Sequence, residues 1–338
     1  MNSSGTKGIE KAPILVGTAS WADKSLIECG RFYPPEVKTP EGRLQYYAHT
    51  FPLVEVDSSY YAMPAERTAG LWVDRTPDGF MFDVKSFALF THHPTPPRSL
   101  PKDVREALSE ELRSKRHVYY KDVPPELRQE LWRRFASSLL PLDSAGKLGV
   151  VLFQFPPWFL PGRESRDYIG HLKEELPQYT PAIEFRNPFW LDDEHAPKTL
   201  AMLRDLAMPY VCVDEAQGTR ASVPPIVAAT ASVGVVRFHG RNKEGWAKRN
   251  AGVAEKYNYD YSDEELKEWL PGLERLASET NTVHALMNNC VEDKGIRDAQ
   301  DLARLLREVP NGAPVAAPAG EANGSGARGT PPAQARLL

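Results

Sequence analysis

The feature that most constrains the fold is a regular alternation of short β-rich runs with helical segments. Eight runs begin with apolar residues and end in polar ones: "ILVGTASW", "LVEVDSSYY", "MFDVKSF", "GVVLFQFPP", "AIEFRNPFW", "YVCVDE", "GVVRFHG" and "VHALMNNC". Segments with helical periodicity separate most of these runs. Repeated strand–helix units predict parallel strands, because a helical crossover returns the chain to the same end of the sheet.

The spacing of the runs favours a closed barrel over an open sheet. Glu55 and Lys85, Gln154 and Glu184, and Glu184 and Asp214 are each 30 positions apart. A barrel of eight strand–helix units in about 250 residues averages roughly 31 residues per unit. We therefore predict an α/β fold, a TIM-type (β/α) barrel of about eight parallel strands.

Two parts of the chain depart from this regular spacing. The interval between the third and fourth runs is long enough for an inserted helical arm at about residues 97–141, and insertions after strand ends lie on the catalytic face of such barrels. The C-terminal end is rich in Pro, Ala and Gly and cannot bury enough surface to fold. The predicted barrel domain spans residues 12–310, and the predicted disordered tail spans residues 311–338.

Composition narrows the class of protein. With 41% hydrophobic residues, 25% charged residues and a net charge of -4, the chain has the composition of a soluble globular protein. No run approaches the length of a membrane span, and the N-terminus lacks the apolar core of a signal peptide. We therefore expect a cytoplasmic protein with no membrane contact. Three scattered cysteines indicate neither a disulfide framework nor a Cys-x-x-Cys metal site.

The stretch "PAIEFRNPFW" indicates what the barrel interior contains. Glu184 and Arg186 are two positions apart and share one face of a strand, whereas Ile183 and Phe185 share the other. Burying either charge alone is expensive, so the charged face must meet other polar groups. The same alternation in the other runs places further polar side chains around the mouth of the barrel: Glu55, Asp57, Asp83, Lys85, Gln154, Asp214, Arg237 and His239.

Candidate roles follow from the chemistry of these side chains. The predicted catalytic residues are Glu184 and Glu55, whose carboxylates move a proton, and His239, which assists them. The arginines clamp an anion through their planar guanidinium groups, and the predicted substrate-binding residues are Arg186, Arg237, Lys85, Gln154, Asp214, Asn288 and Trp21. The alternatives are a structural ion pair between Glu184 and Arg186 and a simple loop anchor at Trp21.

No metal or cofactor is identified by the sequence. Glu55, Glu184, Asp214 and His239 supply the oxygen and nitrogen ligands that manganese, magnesium or zinc would require. There is no compact His-x-x-x-His pattern, so a divalent metal stays an open alternative. Phosphate-cradling, dinucleotide and Gly-x-Ser-x-Gly motifs are absent, which argues against nucleotide kinases, Rossmann oxidoreductases and the usual serine hydrolases.

Two classes of function are consistent with these residues. The first is an enzyme whose pocket binds a small phosphate- or carboxylate-bearing substrate and performs hydrolysis or isomerisation by general acid–base catalysis. The second is a non-catalytic module that binds nucleic acid or a protein partner with the same mouth and the basic arm. The sequence does not predict an oligomeric state.

The motifs also resemble a known family. In this order, "GTASW", "FYP", "VEVDSSYY", "FMFDVKSF", "LFQFPPWF", "AIEFRNPFW", "VRFHG" and "YSDEELKEW" are similar to motifs of the YecE-like proteins, domain of unknown function family 72. The similarity extends over roughly residues 12–310. The resemblance implies a TIM-barrel-type fold with a polar pocket at the strand ends, and it implies no particular reaction.

Overall fold

The structure, a computed structural model, describes residues 11–219, 222–248 and 252–318. It contains eight strands: β1 (Ile14–Thr18), β2 (Leu53–Val56), β3 (Met81–Lys85), β4 (Leu148–Phe155), β5 (Pro181–Phe185), β6 (Val211–Asp214), β7 (Val233–Phe238) and β8 (Thr282–Met287). Neighbouring strands pair in parallel in the order β5-β4-β3-β2-β1-β8-β7-β6. The predicted barrel of parallel strands is confirmed.

The helices surround this sheet. They are α1 (Lys24–Cys29), α2 (Pro40–Ala48), α3 (Glu66–Asp74), α4 (Lys102–Ala107), α5 (Glu110–Ser114), α6 (Pro125–Ser144), α7 (Arg163–Glu175), α8 (Ala196–Asp205), α9 (Lys243–Ala247), α10 (Val253–Lys256), α11 (Asp263–Lys267), α12 (Leu270–Glu279) and α13 (Lys294–Arg307). The described part of the β6–β7 connection contains no helix. Within the described ranges, no helix has the length and apolarity needed to cross a lipid bilayer.

The barrel closes between β5 and β6 through a single point of pairing. Ile183 forms a parallel bridge with Tyr210, and its backbone N–H donates to the carbonyl oxygen of Pro209 at 2.8 Å. Pro209 itself has no N–H to donate, so the ladder cannot extend in that direction. Seven parallel ladders join the other neighbouring strands, which places all eight carboxyl ends around one opening.

The predicted helical arm divides into two parts with different positions. Helix α6 packs against α3 and β4 and is the crossover helix between β3 and β4. Its buried side chains include Trp132, whose ring stacks on Phe90 with 3.6 Å between centroids. The additional segment is therefore residues 97–124, which contain α4 and α5.

The first residues of the predicted tail contact the barrel. The N–H of Ile14 donates to the carbonyl oxygen of Pro314 at 2.8 Å, and the N–H of Ala316 donates to the carbonyl oxygen of Ile14 at 2.9 Å. The ordered fold thus extends beyond the predicted boundary at residue 310. The rest of the predicted tail, residues 319–338, lies outside the described residues.

The barrel interior contains both apolar and charged side chains, among them a buried pair of His284 and Asp83, 3.0 Å apart. Leu15, Leu53 and Leu286 form a small buried apolar cluster. Leu286 lies in register with Arg237, so the two side chains face the same side of the sheet. Glu184, Arg186 and His239 lie at or just beyond the carboxyl ends of β5 and β7, the end of such barrels where catalytic sites lie.

Candidate functional site

A cavity of about 540 Å³ opens at the carboxyl ends of the strands, and we call it the mouth cavity. Three of the predicted substrate-binding side chains line it: Lys85 at the end of β3, Gln154 near the end of β4, and Asn288 just after β8. Its other polar lining residues include Asp23, Asp57, Tyr60, Tyr61 and Tyr257. The cavity is therefore polar, and the strands themselves supply part of its lining.

Arg237 joins two strands beneath the mouth cavity. Its Nε and Nη2 donate to the two carboxylate oxygens of Glu55 at 2.8 and 2.6 Å. Its Nη1 donates to Oε2 of Glu184 at 2.5 Å. All three side chains are fully buried. One guanidinium on β7 thus connects carboxylates on β2 and β5 across the barrel, with the bidentate geometry that arginine forms with carboxylates.

Glu184 is the centre of the buried network. Its Oε1 accepts a hydrogen bond from Nε2 of Gln154 at 2.6 Å and lies 3.1 Å from Nε2 of His239. Nε of Arg186 lies 2.5 Å from the same oxygen, but its N–H is not aligned for a hydrogen bond, so this contact is an ion pair only. Glu184 and Arg186 lie on one face, as the alternation predicts, and they contact each other directly.

Arg186 links this network to the wall of the mouth cavity. Its Nη1 donates to Oε2 of Glu215 at 2.8 Å, and its Nη2 lies 2.9 Å from Nε2 of His239. The ring of Trp246 lies 5.6 Å from the guanidinium carbon, within range of a cation–π contact. Both predicted anion-binding arginines therefore already have carboxylate partners.

His239 is a neutral imidazole in this environment. Burial lowers its pKa to about 3, and the nearby Arg186 guanidinium adds to that effect. Its Nδ1 lies 2.8 Å from the side-chain amide of Asn288. If Nε2 accepts from Arg186, Nδ1 carries the proton and the Asn288 amide must present its oxygen. If Nε2 donates to Glu184, the amide must present its nitrogen, so the orientation of Asn288 is coupled to the tautomer of His239.

The two carboxylates that are hydrogen-bonded to Arg237 have pKa values shifted in opposite directions from the ordinary value of glutamate. Burial raises the pKa of Glu55 to about 7, against the attraction of Arg237 and Lys85. Burial also acts on Glu184, but Arg186 and Arg237 outweigh it and hold the pKa of Glu184 well below its usual range. Glu184 is therefore ionised at neutral pH, whereas Glu55 titrates near it. Such a divergence is typical of carboxylates with different acid–base roles.

Lys85 is a cation on the floor of the mouth cavity. Its Nζ donates to Oδ1 of Asp57 at 2.7 Å and lies 4.8 Å from the centroid of the Tyr60 ring. Burial alone would lower its pKa, but the attraction of Asp57 and Glu55 raises the pKa above the usual value. Lys85 is therefore protonated at neutral pH and cannot act there as a base.

The inward position expected for Asp214 is wrong. Asp214 lies in register with Phe238, so its side chain faces outward. There its carboxylate accepts from the hydroxyl of Tyr261 at 2.6 Å and from Nη2 of Arg241 at 2.7 Å, and it borders a second cavity of about 420 Å³, which we call the lateral groove. Glu215, the next residue, takes the inward position beside Arg186.

Trp21, which the sequence predicts to bind substrate, is not among the residues that line the mouth cavity. Its ring makes edge-to-face contacts with Trp72 and Phe82, at centroid distances of 5.8 and 6.3 Å. Both partners are buried core residues. Trp21 therefore anchors the β1 loop to the core, which is the structural alternative.

Two contributors to the site were not selected from the sequence. Glu215 follows β6 in "VDEA", where two adjacent acids make the choice of inward residue ambiguous. Tyr257 comes from the long β7–β8 connection, and its hydroxyl lies 3.4 Å from Nη2 of Arg186. No strand periodicity extends into such a connection, so the sequence carries no signal for this contact.

The predicted metal ligands do not converge on a cation site. Asp214 faces away from the other three candidates, and the oxygens of Glu55 and Glu184 face guanidinium groups. Among the described residues, no three His, Cys, Asp or Glu side chains are grouped as ligands of one metal ion. The donor set suits a hydrogen-bonded ion network better than a divalent cation.

Comparisons with known proteins agree with this architecture. The model of the family described as "Protein of unknown function DUF72" matches residues 15–322. The UPF0759 protein YunF of Bacillus subtilis is 32% identical over 297 residues, which cover 87% of this chain and 94% of that protein.

A DUF72 family protein of Thermotoga maritima has a solved structure with 26% identity and a TM-score of 0.68, covering 87% of this chain and 99% of that one. A DUF72 family protein of Enterococcus faecalis has 24% identity and a TM-score of 0.71, covering 87% of this chain and 95% of that one, and so shares the fold. On the evidence of the barrel, the ordered motifs and these matches, the chain belongs to the DUF72 family.

Proposed function

We propose that the mouth cavity is the active site of an enzyme for a small phosphate- or carboxylate-bearing substrate. The reaction would be a hydrolysis or an isomerisation that proceeds by proton transfer. The observation that carries this proposal is the position of a protonated lysine, Lys85, on the floor of a cavity directly above two buried carboxylates with divergent pKa values.

Lys85 is the best-placed group to contact the substrate anion. Its ammonium group borders the mouth cavity and has one carboxylate partner, Asp57, which is itself partly exposed. An anion in the cavity would share this ammonium with Asp57. Arg237 is fully buried and holds Glu55 and Glu184, so its role in the proposal is to position carboxylates and not to contact substrate.

The proton would be moved by Glu184 or Glu55, with the help of His239. Gln154 and Asn288 line the mouth cavity and contact Glu184 and His239, respectively. The two amides therefore separate the buried acid–base pair from the cavity. Rotation of these side chains on substrate binding would bring a substrate hydroxyl or a water molecule against the ionised carboxylate, which accepts its proton and returns it to the leaving group or product.

The binding step is tested by isothermal titration calorimetry with inorganic phosphate and glucose 6-phosphate. We expect Lys85→Gln to weaken binding about tenfold or more, since a charge-assisted hydrogen bond is lost. The matched control is Lys24→Gln, because Lys24 lines the same cavity but its side chain is 86% exposed and its partner Glu28 lies 3.5 Å away. Equal losses in the two variants would remove Lys85 from the proposal.

The catalytic step is tested with the phosphate esters and sugar phosphates that bind. Glu184→Gln should leave binding within about threefold of wild type while turnover falls by about 100-fold or more, as for loss of a general base. Circular dichroism and thermal unfolding of the same samples check that the variant is folded. Unchanged turnover in a folded Glu184→Gln protein would contradict the assignment.

The alternative function is nucleic-acid binding by the arm. Two of the arm's arginines are already paired with carboxylates. Arg134 pairs with Asp103 at 2.5 Å and with Glu130 at 2.7 Å, and Arg133 pairs with Glu130 at 2.7 Å. Phosphate binding requires cations that are available to the backbone. A single-stranded DNA titration at two salt concentrations provides the comparison, and tight salt-dependent binding would favour this alternative.

A further inference from the structure

A row of four aromatic side chains leads out of the mouth cavity, and we call it the aromatic strip. It consists of Tyr61, Tyr60, His93 and Trp158, with centroid distances of 5.1, 5.3 and 5.7 Å between successive rings. Tyr60 and Tyr61 line the cavity. The two ends are exposed, with relative exposures of 61% for Tyr61 and 56% for Trp158. Large apolar side chains exposed together beside a cavity are typical of binding surfaces.

The aromatic strip is uncharged at neutral pH. Burial lowers the pKa of His93 to about 4, and Lys85 adds to that effect. A contact of 2.8 Å between its Nδ1 and Oγ1 of Thr91 fixes the ring. The part of a ligand that lies along the strip should therefore be neutral, with an apolar face to pack against the rings.

The angles between the rings favour some ligand shapes over others. Successive rings are close to perpendicular, with interplanar angles of 86°, 79° and 72°. A stack of flat bases requires parallel platforms, whereas linked sugar rings can turn from one unit to the next. The axial C–H bonds on one side of a pyranose form an apolar face that packs on an aromatic ring, and its hydroxyls remain free for polar partners.

The charges of the mouth cavity also favour a saccharide over a polyanion. Its acidic lining residues are Asp23, Glu28 and Asp57, and its lysines, Lys24 and Lys85, are paired at 3.5 Å with Glu28 and at 2.7 Å with Asp57. Among the described lining residues, this balance lacks the surplus of cations that a nucleic-acid backbone requires. Carboxylates and the amides of the cavity floor are, by contrast, good partners for sugar hydroxyls.

We propose that the aromatic strip binds sugar rings and that the mouth cavity receives the terminal sugar of a phosphorylated or carboxylated saccharide. The saccharide class depends on contacts with the strip alone. The position of the anion beside Lys85 rests on the function proposed above. The two parts can therefore fail separately.

The strip is tested with neutral saccharides that carry no anion. Binding of maltotetraose, cellotetraose and chitotetraose to the full chain is measured by calorimetry, with glucose 6-phosphate as the anionic probe. We expect at least one tetrasaccharide to bind, and Trp158→Ala to weaken it about five- to tenfold, as expected for loss of one stacking contact. Trp158→Phe should restore most of the affinity, because it keeps an aromatic face.

Phe189→Ala is the matched control, since Phe189 is also exposed, at 57%, on the neighbouring β5 loop. Within the described residues it has no ring contact with the strip. The control should leave tetrasaccharide affinity unchanged. An equal loss in Phe189→Ala would mean a general apolar surface and would overturn the proposal.

The remaining outcomes separate the two proposals. If none of the tetrasaccharides binds but glucose 6-phosphate binds through Lys85, the aromatic strip has no saccharide function and the proposed active site stands. If a tetrasaccharide binds through Trp158 but no phosphate ligand depends on Lys85, the strip proposal stands and the anionic substrate is wrong. Binding of an oligothymidylate that is lost in Trp158→Ala and exceeds all saccharide binding would identify a nucleobase platform and overturn the saccharide class.

Discussion

Arg237 illustrates how one buried side chain organises the interior of the barrel. It is among the largest fully buried side chains of the protein, and its guanidinium has hydrogen-bonded carboxylate partners on two strands. A buried ion pair contributes little net stability when complete, because desolvation offsets the attraction. Removal of one member is costly, since the charges left behind stay buried without a partner.

This asymmetry predicts the effect of Arg237→Met. The variant leaves Glu55 without its guanidinium partner, while Glu184 keeps Arg186, so we expect the free energy of unfolding to fall by about 3–5 kcal/mol. Urea denaturation followed by circular dichroism measures the change. Arg133→Met is the control, because this exposed ion pair on α6 should contribute no more than about 1 kcal/mol. Similar losses in both variants would show that the buried network is not held by Arg237.

The alternation of side chains along a strand predicted which residues share the interior face. It could not do so at the end of β6, where two acidic residues are adjacent. Glu184 with Arg186, and Arg237 with His239, were expected on shared faces, and each pair does share the interior face. At the end of β6, Asp214 and Glu215 are both acidic, and a shift of one position exchanges their faces. Alternation alone therefore could not select Glu215.

At the scale of elements, Asp298 ties helix α13 to the barrel. Its Oδ2 accepts from the side-chain amide of Asn289 at 2.5 Å and from the N–H of Tyr261 at 3.2 Å. Burial raises the pKa of Asp298 to about 7 in the fold, against these two hydrogen bonds. The folded state therefore favours the protonated acid, so ionisation of Asp298 opposes folding.

The sign of the pH dependence follows from this raised pKa. The stabilisation linked to Asp298 is fully present below its usual pKa of 3.8 and is lost as the pH rises through about 7. We expect the free energy of unfolding, measured in urea at several pH values from 4.5 to 7.5, to fall less with pH in Asp298→Asn than in wild type. The free energy of unfolding of Asp298→Asn should still fall with pH to some extent, because Glu55 also has a raised pKa. Identical slopes in the two proteins would contradict the assignment.

The segment after α13 acts as an extra partner for β1. Besides its bridge to Ile14, the backbone N–H of Ala313 donates to the carboxylate of Glu274 at 2.9 and 3.0 Å. Truncation after residue 312 removes these contacts, and we expect it to lower the free energy of unfolding by about 1–3 kcal/mol. Truncation after residue 318 is the control and should change stability by less than about 0.5 kcal/mol. Equal stability of the two shortened chains in urea would contradict a role for this segment.

The strands were more predictable from sequence than the segments around them. Each of the eight runs combines an apolar half with a polar end, and each overlaps a strand of the structure. Helix α6 was assigned to an insertion because its length of 20 residues and the segment before it lengthen the β3–β4 interval. Its packing on α3 depends on tertiary contacts that periodicity does not report. The composition of residues 311–318 likewise gave no signal for pairing with β1.

On the scale of the whole molecule, closure of the barrel is what brings distant charges together. Arg237 and Glu55 are 182 positions apart in the chain, and Arg237 and Glu184 are 53 apart, yet all three meet beneath one opening. Gln154 and Asn288 line the mouth cavity and contact Glu184 and His239, so the network borders the cavity at the mouth. The proposed function places the ligand there because cavity, cation and acid–base pair coincide at that end.

The claim that the ligand binds in the mouth cavity is tested most directly by a crystal structure of the protein soaked with glucose 6-phosphate. The account predicts electron density for the phosphate within hydrogen-bond distance of Nζ of Lys85, with the sugar ring against Tyr60 or Tyr61 in the mouth cavity. Density in the lateral groove beside Arg241, or an empty mouth cavity in crystals of a protein that binds this ligand in solution, would contradict it.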